Sequence, residues 1–387
     1  MIILQLLKFI IFLIPFFKPS YILQISWLNN IYNVSQMLIS VIIIIYFFKS
    51  KQFSKIILLI LLMDLILFIS SIINNLNYID AFKNCMQTVI LCIMIEMFSK
   101  NNIKKLFQAL FLILNILVFI DFSFVVLHPT GIRVGLYNIW FFGAKNSHIT
   151  FILPTLFINY IYLFVLKQKN AFKIFFYIIT ILICCYILIS VQSATSIIAI
   201  ALFIVLIFFS KNKFFSKLSM NLITLMYLVL FVSVVFFQFQ NNFAPFFQTF
   251  FQKDVTFTGR TKIWDTTIEL IKIKSIYGYG MEPSAIRVLK YHNIAALHSH
   301  NMILEIIYEG GFLLFCFFSL FWKKLCSKVD NYSKNHGQIL KILLISYCVE
   351  LFTEVFSFEV LLWIFVLVFE FASENSKTIG DDKFVTK

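Results

Sequence analysis

Between short polar breaks this chain runs apolar for about the length of a membrane helix, again and again, and that repetition constrains the fold more than any single residue does. A bilayer core is crossed by roughly 20 apolar residues of helix, with a range of about 17 to 25. Twelve runs of that order stand in the sequence: Met1 to Phe17, Ile31 to Phe48, Ile56 to Ile73, Asn84 to Phe98, Leu106 to Leu127, Ile149 to Leu166, Ala171 to Ile189, Ser196 to Phe209, Leu218 to Phe237, Asn301 to Trp322, Ile339 to Phe356 and Phe358 to Phe369. The eighth and twelfth are short for a crossing. Lipid offers no partner to a free backbone N–H or C=O, so runs of this length must satisfy themselves as helices. The expectation is an all-α, polytopic integral membrane bundle of about 12 transmembrane helices.

Lysine sorts the connections into two classes. From a cytoplasmic amino terminus, the inside loops hold Lys49, Lys51 and Lys55, then Lys100, Lys104 and Lys105, then Lys167, Lys169 and Lys173. Lys211, Lys213 and Lys217 follow, and then Lys323, Lys324, Lys328 and Lys334. The opposite loops through residue 195 hold only Lys18, Lys83, Arg133 and Lys145, as the positive-inside rule requires. The chain therefore divides into helices 1–9 over residues 1–237, a large extracytoplasmic loop over 238–299, helices 10–12 over 300–370 and a cytoplasmic tail over 371–387. Within the loop, Thr261 to Lys272 reads as an amphipathic helix with Trp264, Ile268 and Ile271 on one face, suited to the membrane surface. Gly278 and Gly280 make a turn, and Pro283 opens a second short helix. Met1 to Phe17 lacks a basic start and a small-x-small cleavage site, so it is expected to stay as the first span.

Composition agrees: 61% of the 387 residues are hydrophobic and 13% charged, beyond what a water-soluble domain carries. The net charge of +14 lies in lysine clusters between apolar runs, which reads as topology and excludes a nucleic-acid partner. Seven Cys form no CxxC pair, so neither a disulfide framework nor a zinc site is expected. GxxxxGKS, HExxH and GxSxG motifs are absent from the sequence. The cytoplasmic loops are too small for a nucleotide-binding domain, so a transferase of this build must take a donor already activated in the membrane.

The three arginines, Arg133, Arg260 and Arg287, all fall on the outer side, whereas the inside loops use lysine alone. Guanidinium presents a planar fork that grips phosphate bidentately, so the segregation points to a phosphate or pyrophosphate clamp, with interfacial anchoring as the alternative. His298, His300 and Asn301 sit where the loop re-enters the membrane. An imidazole there can take a proton near neutral pH, and the His-x-His pair is not expected to form a metal site. Asp64, Glu96, Asp121, Glu350, Glu354 and Glu359 lie at membrane depth, where ionisable groups are functional candidates by default. For Glu96 and Glu359 the preferred reading is a span end facing water. Glu350 and Glu354 share a helix face toward the outer end of their span.

Thr258-Gly259-Arg260 with Trp264, then Gly278-Tyr279-Gly280, then His300-Asn301 followed by Leu304, Glu309 and Gly311, resemble the O-antigen polymerase and ligase superfamily; Arg133, Gly135 and Gly143 to Asn146 extend the likeness. The chain departs from that pattern at Leu314 and Ser275, and the turn Ser190 to Thr195 lacks an arginine found in many relatives. The resemblance implies a metal-independent, cofactor-free glycosyltransferase that joins undecaprenyl-pyrophosphate-linked oligosaccharide repeats into polysaccharide. It assigns Arg260 to the donor pyrophosphate and His300 to deprotonation of the acceptor hydroxyl. Arg133, Arg287, Asn301, Lys145, Asn146 and Glu354 become substrate-binding candidates. The implied partners are the lipid-linked glycan as donor and acceptor, the bilayer, and a chain-length regulator and flippase of the same pathway. The implied location is the bacterial cytoplasmic membrane, with both termini cytoplasmic and the active site outside. A ligase moving finished glycan to another acceptor, a precursor transporter or flippase, and an aspartyl protease using Asp64 and Asp121 are the competing readings.

Overall fold

The computed structural model describes residues 2–50, 54–135, 137–210, 217–239, 259–293, 297–332 and 338–381. Lys51, Lys211, Lys213, Thr258, Lys334 and residues 382–387, all used in the reading above, lie outside the described residues.

Thirteen α-helices form among the described residues, and every apolar run falls on one of them. They are α1 (Ile2–Leu13), α2 (Ser26–Ser50), α3 (Lys55–Ile73), α4 (Tyr78–Leu127), α5 (Ile149–Tyr160), α6 (Ala171–Ser190), α7 (Ala194–Phe209), α8 (Met220–Phe231), α9 (Arg260–Ile273), α10 (Ser284–Tyr291), α11 (Met302–Asn331), α12 (Gln338–Thr353) and α13 (Phe358–Asp381). Short polar residues set the starts by accepting from the first free N–H groups. Ser54 caps α3, Asn77 caps α4, Asn170 caps α6, Ser219 caps α8 and Asn301 caps α11. Asn102 breaks α4 with φ −163° and ψ 89°, and its side chain accepts from Lys105 N at 3.0 Å. The 50-residue helix is thus two arms with a capped turn between them, at the lysine cluster where the sequence placed a loop.

Among the described residues six helical stretches are long and apolar enough to cross a membrane, on α2, α3, α4, α5 with its flanking turns (Lys145–Val165), α6 and α11, while α1, α7 and α8 are shorter apolar helices. Large side chains such as Trp27, Met37, Ile45, Phe172 and Phe208 stand exposed on the helix surfaces. Water would not tolerate so continuous an apolar exterior, whereas lipid is its matching solvent. The protein is an all-α membrane protein with one small addition. Ile132–Val134 (β1) and Tyr137–Ile139 (β2) pair antiparallel, Arg133 opposite Asn138, in a hairpin that the helix pattern did not foretell.

Inside, α13 lies along α4, α3 packs on α11 and α12 on α7. α9 does not spend its apolar face on lipid. Trp264 is fully buried and meets the Phe352 ring edge-on at 6.4 Å, in a cluster with Leu304, Ile307 and Tyr308. Glu96 is also buried rather than wet: it accepts from Ser54 Oγ at 2.5 Å and pairs with Lys100.

Candidate functional site

Two glycine-bearing segments are locked together beside the site. α11 kinks at Gly311, whose φ is +67°, and the Ile276 carbonyl lies where a Cβ would stand. Phe312 N donates to Ser275 O at 2.8 Å, while Tyr279 N and Gly280 N donate to Tyr308 O and Glu309 O, each at 2.8 Å. Gly278 and Gly280 are also left-handed, and their missing side chains let the turn lie against the α11 backbone and against Ser71 of α3. Ser70 Oγ donates to Glu309 O at 2.9 Å, and Asn74 Nδ2 to Gly278 O at 3.0 Å. A kink opens backbone groups of α11, and this joint fills them.

Arg287, on α10, is buried in the next layer. Its guanidinium pairs with Glu305 and with Glu309 Oε1 at 2.7 Å, and stands 5.1 Å from the centre of the Tyr308 ring. Those two carboxylates hold its pKa above the usual arginine value against the opposing effect of burial. Glu305 Oε2 accepts from Ser299 N at 2.9 Å. Both terminal nitrogens of Arg287 are therefore taken by protein carboxylates, and through Glu305 it steadies the segment carrying His298 and His300.

His300 sits in the left-handed region at φ +53°, and its N–H donates to His298 Nδ1 at 3.2 Å. Burial pushes the His298 imidazole down to about 4, with His300 as a neighbour adding to the effect. Asn301 spends its side chain on the backbone: Oδ1 accepts from Ile303 N and Leu304 N, and Nδ2 donates to Phe352 O at 2.9 Å. Its amide thus ties the start of α11 to the end of α12.

Glu354, one residue beyond α12, is the hub. Its Oε1 accepts from Asn146 Nδ2 at 2.6 Å and pairs with Arg260, the first residue of α9. Its Oε2 lies 3.6 Å from His300 Nδ1. Asn146 is held in turn by Ser193 Oγ at 3.0 Å. The arrangement borders a cavity of about 650 Å³ lined by Lys145, Asn146, Gln192, His298, His300 and Glu354, with Tyr137, Asn138 and Trp140 on the hairpin side. Arg260, His300, Asn146 and Glu354 thus meet at one point, with Lys145 on the cavity wall. Arg133 does not line this cavity; it is exposed on β1, with Nε donating to Gly135 O at 3.4 Å.

Ligand atoms of His298, His300 and Glu354 all lie within 4.8 Å of one another, a set that could hold a metal ion. Sequence spacing showed only the His-x-His half, because the third donor arrives from another helix. Sequence reasoning also missed the pair formed by Asp121 and His148, buried with Oδ2 to Nδ1 at 2.8 Å beneath the Lys145–Ser147 turn. Their separation of 27 positions carries no local signal.

Fold and site define a helical membrane protein with a charge-paired polar cavity between its helices. Within it, residues 178–319, from α6 into α11, match the family model described as O-antigen ligase. That match supports the O-antigen polymerase and ligase superfamily, and an enzyme of polymerase or ligase type. It contains Arg260, Arg287, His298, His300, Asn301 and the three joint glycines, while Asn146 and Glu354 fall outside it. No curated protein matches the chain.

Proposed function

We propose that the chain polymerises undecaprenyl-pyrophosphate-linked repeat units into capsular, exo- or O-antigen polysaccharide by metal-independent, inverting glycosyl transfer. It does so at the outer face of a bacterial cytoplasmic membrane, with about twelve crossings, both termini inside, and residues 238–299 as one large extracytoplasmic loop between the spans of 1–237 and 300–370. The observation that carries the reading is the convergence of Arg260, His300 and Asn146 on the single carboxylate of Glu354 at a polar cavity.

Glu354 Oε2 faces His300 Nδ1 and favours the tautomer with a proton there, which leaves Nε2 as the lone-pair nitrogen. Nε2 removes the proton of an acceptor sugar hydroxyl as its oxygen bonds to the anomeric carbon of the donor. The bond from that carbon to the pyrophosphate oxygen breaks on the opposite face, and the lipid pyrophosphate leaves with the electron pair. Arg260 receives the developing charge, exchanging the carboxylate of Glu354 for the leaving group. Lys145 adds a second cation from the cavity wall. Arg133, on the hairpin outside the cavity, contacts the carrier before it is seated. Arg287 and Asn301 serve as positioning residues, the first through Glu305 and the second through its cap on α11. The bilayer supplies the substrate laterally, and a flippase and chain-length regulator act before and after this step.

The description of the matching family favours a second reading, in which finished glycan is moved to a separate acceptor. Deletion of the chain separates them. Accumulation of single-repeat lipid carriers supports the polymerase, and accumulation of full-length lipid-linked polymer replaces it with the ligase.

A further inference from the structure

A second polar cavity of about 480 Å³ opens beside the first. The two share Ser147, Val355 and Phe356 as a common wall. Each wall segment serves both sides: Asn146 and Glu354 face the first cavity, while Ser357 and Glu359 face the second. The far wall carries Gln36, Lys83, Asn84 and Gln87, with Lys18 at the end of the segment after α1. Of these amide and ammonium groups Gln36 is buried, Lys18 and Gln87 are half-buried, and Lys83 and Asn84 are exposed. Some satisfy one another: Gln87 Nε2 donates to Gln36 Oε1 at 2.7 Å, and Lys18 Nζ donates to Asn29 and Asn33. Lys83 and Asn84 side chains have no hydrogen-bond partner among the described residues. Two lysines against one glutamate leave an excess of positive charge, while Phe17, Phe142 and Trp363, packed in the core, form part of the apolar lining.

We propose that this second cavity is an extended glycan subsite, holding the sugars next to the reacting one and receiving an anionic group of the lipid-linked repeat at Lys83 and Lys18. The proposal rests on the glycosyl-transfer reading of the first cavity. The amides and hydroxyls match a polyhydroxylated chain, and the net cation selects a carboxylate or phosphate on it. Lys83 is exposed at the cavity and reaches the ligand without disturbing the core.

The test uses the full-length protein in lipid nanodiscs with labelled lipid-linked repeats purified from cells lacking the chain. Lys83→Met and Gln87→Leu are expected to raise KM for the repeat roughly tenfold while kcat stays within about twofold. The same substitutions placed in a His300→Ala background are expected to weaken retention of the labelled repeat by the same factor. This binding arm needs no turnover, so it stands or falls separately from the catalytic assignment. Competition by inorganic pyrophosphate that Lys83→Met relieves assigns the anion to the carrier phosphate. Competition by free glucuronate that it relieves assigns the anion to an acidic sugar. Unchanged KM, retention and competition in both variants would overturn the subsite and leave the cavity a structural feature.

Discussion

Glu354 accepts from Asn146, pairs with Arg260 and faces His300, so three groups depend on one buried carboxylate. Glu354→Gln keeps the shape but removes the charge that orders them, and product formation is expected to fall roughly a hundredfold in a lipid-linked repeat assay. Arg260→Lys keeps a cation and loses the planar fork; it is expected to abolish product although the protein folds, and wild-type rates would remove the bidentate grip. His300→Ala is expected to give membrane-inserted protein without a polymer ladder. His298 provides a pH signature. Its folded pKa of about 4 lies below the ordinary imidazole value, so below about pH 6.5 the unfolded chain takes the proton first. Stability from this residue is complete above that pH and is lost as pH falls toward 4. Unfolding midpoints measured across that window should therefore decline less steeply in His298→Asn.

At the scale of elements, the joint between α11 and the Gly278–Gly280 turn sets where the histidines stand. Gly311→Ala forces a Cβ into the Ile276 carbonyl at a left-handed φ of +67°; the backbone strain alone is about 1–3 kcal/mol. Loss of folded protein in detergent checks it. Arg287 tests whether an arginine of the motif region is structural. Arg287→Gln leaves Glu305 and Glu309 facing a neutral group in a buried layer, a cost of about 3–5 kcal/mol. The expected outcome is a lowered Tm, and a larger drop than in Arg260→Gln, which lies at a partly exposed helix start, pairs with a single carboxylate and is expected to lose activity. Equal Tm losses in the two variants would merge these roles.

Across the whole molecule, sidedness is the quantity to measure. The described cysteines are all free and only Cys316 is exposed, so a Cys316→Ser background is close to silent toward a membrane-impermeant maleimide. In it, Lys262→Cys is expected to label in intact cells and Lys104→Cys only after permeabilisation. The reverse pattern would put the cavity on the cytoplasmic side and end the pyrophosphate-carrier mechanism.

Membrane class and helix positions were legible in the sequence because lipid solvation acts on every residue of a run and so leaves a signal about twenty residues wide. The turn glycines and the His300-Asn301 start of α11 were legible because backbone conformation is a local demand on residue type. Which arginine borders the cavity and which is buried between two carboxylates was not, since Arg260 and Arg287 differ only in the carboxylates that packing brings to them. Nor did any spacing reveal that Asn146 and Glu354, 208 positions apart, share a hydrogen bond. Local preferences are written along the chain, while the meeting of charges depends on how helices stack, and that alone decided the site.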